Sequence, residues 1–118
     1  MVYKDEILDL YKNPRNVGEL ETAYSAEGEN PSCGDSTDIF VEVENGEIND
    51  VKHQTEGCAI STASISIVTD EIKGMSVEEV RDLNREWMLD RLGVDVSPMR
   101  VKCAVLGLKT VQKALEDY

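Results

Sequence analysis

A chain of 118 residues with 41% hydrophobic residues is the size of one domain and carries enough apolar side chains for one core. Its net charge of −12 opposes a nucleic-acid partner, because phosphates need Lys and Arg to neutralise them, and fits docking onto a basic protein surface. No apolar run approaches the roughly 18 residues of a membrane span, and aromatics are scarce at 5%, so an aliphatic core is expected.

Residues 2–12 place Tyr3, Ile7, Leu8, Leu10 and Tyr11 at roughly helical spacing. This acidic start lacks the basic end and apolar core of a secretory signal, so the chain reads as cytoplasmic. Asn13-Pro14 ends the helix, since the residue before a proline avoids the α region. Residues 15–38 hold Gly18, Gly28, Pro31 and Gly34 and read as loop, with one short strand near Tyr24. Ile39, Val41 and Val43 alternate as a strand, Asn45-Gly46 signals a hairpin, and the return strand runs through Ile48 and Val51 to Gln54. Small and apolar residues from Ala59 to Lys73 suit a buried helix closed by Gly74. Ser76 with Glu79 forms a capping box for a short helix ending near Leu83, and another helix spans Arg85 to Leu92 before Gly93. Ser97-Pro98 supplies an N-cap and a first-turn proline for the last helix, which carries Val101, Val105, Leu108, Val111 and Leu115 on one side. A hairpin sheet followed by a run of helices is an α+β pattern.

Three cysteines make a poor disulfide framework, and thiols in a reducing compartment fill cores, bind metals or act as nucleophiles. Cys33 lies in a glycine-rich loop before the first long strand, Cys58 at the junction of the return strand and a helix, and Cys103 in the first turns of the last helix. Each is near an element end, where loops can gather them. Cys33 and Asp35 flank Gly34, and an extended chain would point both side chains to one face. Cys58 opens a helix whose N–H groups favour a thiolate, and Lys102 would lower the Cys103 pKa if its ammonium came close. Three thiolates and a carboxylate suit tetrahedral Zn²⁺, and three thiolates with one further ligand suit a [2Fe–2S] centre. The wide cysteine gaps match no short finger pattern, however, and by themselves favour buried structural thiols. His53, the one histidine, reads as a surface strand residue. Met75, Met88 and Met99 read as packing, and Glu78 and Glu79 as part of a solvated face.

Taken together, LYKNPRNVGEL (10–20), CGDS (33–36), EGCAIS (56–61) and VKCAVLGLKTVQKAL (101–115) resemble the IscU family of iron–sulfur cluster assembly scaffolds, related to the N-terminal domain of NifU and to SufU. The resemblance runs from about Tyr3 to Tyr118, with the motifs in the family's order. It implies one iron–sulfur cluster scaffold domain over residues 1–118, an α+β fold of a three-stranded antiparallel sheet with helices packed over it. It also implies that Cys33, Asp35, Cys58 and Cys103 converge at one exposed end to hold a [2Fe–2S] cluster. The implied partners are an IscS-like cysteine desulfurase that hands over sulfur as a persulfide, an electron donor, and apo iron–sulfur proteins that receive the cluster. Such a chain is a scaffold and carrier rather than an enzyme. Some scaffolds of this type use an N-terminal tyrosine in homodimer contacts, a role open to Tyr3 if it is not core.

Two positions depart from the IscU pattern. IscU proteins place histidine before the third cysteine, and here the residue is Lys102, as in SufU proteins, which bind zinc and accept sulfur. The alternative reading is therefore a zinc-dependent sulfur acceptor, with Zn²⁺ in the cluster-free form. SufU proteins also carry an insertion between the second and third cysteines, for which the stretch from Cys58 to Cys103 leaves no room. With no histidine there, the simplest fourth ligand is Asp35. The Leu-Pro-Pro-Val-Lys stretch that a dedicated Hsp70 chaperone reads is Val96-Ser97-Pro98-Met99-Arg100 here, which argues against that partner. Cys103 is the expected persulfide acceptor, because Lys102 and the helix start favour its thiolate, and Cys33 in its loop is the alternative. A structural domain without chemistry would explain the charge but not CGD.

Overall fold

The computed structural model describes the backbone of residues 2–118 and the side chains from Asp5 onward. The side chain of Tyr3, with its expected core or dimer role, lies outside the described residues. Helix α1 (Val2–Lys12) buries Ile7 and Leu10 and exposes Leu8 and Tyr11. Strands β1 (Tyr24–Asn30), β2 (Asp35–Glu44) and β3 (Glu47–Glu56) form an antiparallel sheet in the order β1-β2-β3. Asn45 and Gly46, with φ of 54° and 77°, make the tight turn between β2 and β3.

The sheet is longer than the apolar pattern predicts. Strand β1 extends to Asn30, and β2 begins at Asp35 rather than Ile39. Strand β1 is an edge strand whose Ser25, Glu27 and Glu29 face solvent. The inward positions Ala26, Gly28 and Asn30 are small or polar, so no apolar alternation announces the strand.

Helix α2 (Ala59–Glu71) is buried from Ser61 to Thr69, packed between α1, β3 and the last helix, α5 (Val101–Ala114). A helix buried all round shows little amphipathic period. Its hydroxyls need partners, and Thr69 donates to the Ile65 carbonyl one turn back at 2.7 Å. Helix α5 lies across β1 and β2 and buries Ala104, Val105, Leu108 and Val111. Between them, α3 (Val77–Arg81) carries the expected Ser76–Glu79 capping box, and α4 (Arg85–Leu92) ends at Gly93 with φ of 75°. A 3₁₀ turn, Pro98–Arg100, leads into α5, and Ser97 caps it without a side-chain hydrogen bond. The buried hydrophobic side chains among the described residues are Ile, Leu, Val, Ala and Met, with Cys103. No helix among the described residues is long and apolar enough to cross a membrane.

Two expectations fail. His53 is 1% exposed, not a surface residue. Residues 16–18 run along β3, with Gly18 N–H donating to the His53 carbonyl at 2.9 Å and His53 N–H to the Asn16 carbonyl at 2.9 Å. That segment covers the imidazole, whose Nε2 lies 2.7 Å from the Arg15 carbonyl and whose Nδ1 lies 2.8 Å from Thr55 Oγ1. Met99, expected to pack, is 79% exposed in the turn before α5, whereas Met88 is buried.

Candidate functional site

Three element ends meet at one end of the sheet. The turn from β1 to β2 carries Cys33 and delivers Asp35 as the first residue of β2, and Gly34 makes the turn with φ of 74°. The β3–α2 junction supplies Cys58, and the first turn of α5 supplies Cys103. Cys33 is exposed, Cys58 half-buried and Cys103 buried. One ligand atom from each of Cys33, Asp35 and Cys103 lies within 4.8 Å of the others. Among the described residues this close group holds three of the four expected ligands.

Cys58 joins them through its backbone. It is the N-cap of α2, its Sγ accepts the Ser61 N–H at 3.5 Å, and its own N–H donates to Asp35 Oδ1 at 3.0 Å. Gly57 makes that approach feasible. A Cβ there would stand 2.6 Å from Ser61 Oγ and 2.7 Å from Asp35 Oδ1, closer than packing allows.

Asp35 is only 2% exposed, yet it is held as a carboxylate. Burial pushes its pKa up, but hydrogen bonds from the Cys103 thiol, the Cys58 N–H, the Ser61 hydroxyl and the Asn30 amide outweigh burial and bring it below the usual 3.8. The same contacts act oppositely on Cys103. Burial, its hydrogen bond to Asp35 and the neighbouring thiols Cys33 and Cys58 push the Cys103 pKa far up. At Cys58 burial and the Asp35 charge oppose ionisation, but the two Ser61 donors and Cys103 prevail, and its pKa falls.

The expectation that Cys103 carries the favoured thiolate is therefore corrected. Cys103 does lie in the first turn of α5, but burial, Asp35 and the neighbouring thiols outweigh whatever that helix start contributes. Cys103 is 0% exposed, and Lys102 points its exposed ammonium to Ser32 Oγ at 3.3 Å. The helix-start argument holds instead at Cys58.

Two residues of the site were not anticipated. Asn30 Nδ2 donates to Asp35 Oδ2 at 3.5 Å and to the Lys102 carbonyl at 3.0 Å. Ser61, fully buried, has one hydroxyl proton, and the Cys58 carbonyl at 3.2 Å is an alternative acceptor for it. Ser61 was legible as the third helical residue after a capping thiol. Asn30 was not, because its partner Lys102 is distant in sequence. Three soft thiols and one hard carboxylate are a donor set for Zn²⁺ or iron. The donors also fit such an ion physically, since ligand atoms of Cys33, Asp35 and Cys103 all lie within 4.8 Å of one another.

The NifU-like N terminal domain family model matches residues 2–118. The iron–sulfur cluster assembly scaffold protein IscU of Haemophilus influenzae is 35% identical over 123 aligned residues, covering 100% of this chain and 96% of its own. The IscU scaffold of Aquifex aeolicus is 36% identical, covering 98% of this chain and 75% of its own length. Among solved structures, the putative iron–sulfur cluster assembly scaffold protein for the SUF system from Fervidobacterium islandicum has a TM-score of 0.81 at 31% identity, covering 98% of each chain. The N-terminal part of a NifU-like protein from Brucella abortus, 20% identical with a TM-score of 0.76 over 98% of this chain and 95% of its own, shows the same fold. With its motifs, its sheet order and these matches in agreement along its length, the chain belongs to the NifU-like N terminal domain family.

Proposed function

We propose that residues 1–118 form one scaffold domain that assembles a [2Fe–2S] cluster and passes it to apo-proteins. The carrying observation is the convergence of Cys33, Asp35 and Cys103, with Cys58 bonded to Asp35 through its amide. The names of the IscU relatives support the scaffold reading. The partners are a cytoplasmic IscS-like cysteine desulfurase, an electron donor and acceptor apo-proteins.

Sulfur enters at Cys33. Cys103, the acceptor expected from sequence, is buried, whereas Cys33 is exposed on its turn. The Cys33 thiolate attacks the outer sulfur of the desulfurase persulfide. The donor S–S bond breaks, the sulfur moves to Cys33, and the desulfurase cysteine leaves as a thiolate. Two electrons from the electron donor then cleave the new S–S bond, yielding sulfide and regenerating the thiolate. Cys33, Cys58, Cys103 and Asp35 hold the cluster being built, and Asp35, the hardest donor, is the first to let go.

The test is anaerobic assembly with desulfurase, ferrous iron and a reductant, followed by iron, sulfide and zinc analysis beside the visible spectrum. Equal iron and sulfide with a visible absorption band is the expected result. Mass spectrometry without iron should show one added sulfur on wild type and none on Cys33→Ser. If sulfur still adds to Cys33→Ser but not to Cys103→Ser, the entry point is wrong.

A second reading, a zinc-dependent sulfur acceptor, is favoured by Lys102 in place of histidine and by the likeness to the SUF-system scaffold. It requires stoichiometric zinc and sulfur loading without cluster formation. If no metal binds and no sulfur loads, the domain is structural.

A further inference from the structure

Asn30 ends β1 directly opposite Asp35, across the turn that carries Cys33. Its amide nitrogen has two hydrogens, and the two acceptors it meets belong to different elements. One is Asp35 Oδ2 at 3.5 Å, at the start of β2, and the other is the Lys102 carbonyl at 3.0 Å, next to Cys103 in α5. Its own carbonyl accepts the Cys33 N–H at 3.0 Å and closes the turn. A second tie crosses the same gap, from Lys102 Nζ to Ser32 Oγ at 3.3 Å. Asp35 Oδ1 is already held by the Cys58 N–H, so Asn30 governs the other oxygen.

We propose that Asn30 is a positioning residue that aims the Asp35 carboxylate as a metal ligand and clamps the Cys33 turn against the Cys103 helix. This rests on the ligand role proposed for Asp35. An amide is required because only a two-hydrogen donor can serve a carboxylate and a carbonyl together; a carboxylate at position 30 would face two acceptors. Hydrogen-bond partners of a ligand tune metal affinity by about 10- to 100-fold. With the amide gone, Asp35 Oδ2 loses the donor that aims it while Oδ1 keeps the Cys58 N–H, so Zn²⁺ is held less tightly.

The experiment is Zn²⁺ affinity of the full chain, measured by competition with a chromophoric chelator, for wild type, Asn30→Ala, Asp35→Ala and the double variant. Asn30→Leu, close to Asn in size but without donors, is the second variant, and circular dichroism checks folding. Both single Asn30 variants should weaken Zn²⁺ binding about 10-fold, and the effect should disappear in the Asp35→Ala background. Unchanged affinity in either folded variant, or the same loss with and without Asp35, would overturn the proposal. If wild type binds no Zn²⁺ through its thiols, the ligand reading of the site falls with it. If wild type binds Zn²⁺ and loses it on Asp35→Ala while Asn30 is silent, only the Asn30 proposal falls.

Discussion

Asp35 is a buried carboxylate in a ring of donors, whose hydrogen bonds set its charge and, on the ligand role proposed for it, would set its hold on metal. A carboxylate oxygen binds soft-ligated iron less firmly than thiolate does. Asp35→Ala and Asp35→Cys should therefore lengthen the life of the assembled cluster, read from the decay of visible absorption. Faster decay in both variants would exclude Asp35 as the releasing ligand. His53 is a further buried titratable group. Burial, which outweighs its bond to the Arg15 carbonyl, holds its pKa below the ordinary 6.5. A lowered pKa means that the unfolded chain takes up the proton first, so the contribution of His53 is complete above 6.5 and is lost as pH falls through the lower folded value. Thermal melts at pH 7 and about pH 5 should show a drop for wild type that is smaller for His53→Phe. An equal drop in both would assign the acid sensitivity to carboxylates. At this scale Cys33 and Asp35 were legible from their residue types on either side of a glycine, but the expected extended chain is a turn, with Gly34 at φ 74°. The burial of His53 was not legible, because a segment remote in sequence covers it.

The elements matter to the site mainly through their ends. Cys58 caps α2 and contacts Asp35 only because Gly57 has no side chain there. Gly57→Ala should cost about 1–3 kcal/mol in urea unfolding, the usual penalty of overpacking. It should also lower Zn²⁺ affinity, since the Cys58 N–H would be pushed off Asp35. Normal stability and normal metal binding together would mean that the junction relaxes and the close approach is not needed. The Ser76–Glu79 capping box, the Asn45-Gly46 turn and the end of α4 at Gly93 were readable locally, since backbone conformation there depends on the residues in place, whereas α2 stops at Glu71 with Ile72, not Gly74, as its C-cap. Strand β1 was under-read. Its inward side is matched to α5, where Thr110 Oγ1 would lie 2.0 Å from a Cβ at Gly28, and such complementarity leaves no periodic trace.

For the whole molecule, a charge of −12 makes association with a basic partner surface salt-dependent. Association with the desulfurase, followed by stopped flow, should slow about 10-fold or more between roughly 0.05 and 0.5 M salt. A salt-independent rate would mean that charge does not steer docking. The sequence by itself determined the helices, the β2–β3 hairpin, the aliphatic core and the cysteines with Asp35 as candidate ligands, because periodicity, caps, turns and residue chemistry are local. Only the tertiary structure decided which thiol is buried and which exposed, how Cys58 and Asn30 tether Asp35, and that Lys102 turns to Ser32 rather than Cys103. Those outcomes depend on desolvation and on hydrogen bonds between elements far apart in the chain, which exist only once β1, β2, α2 and α5 are packed together.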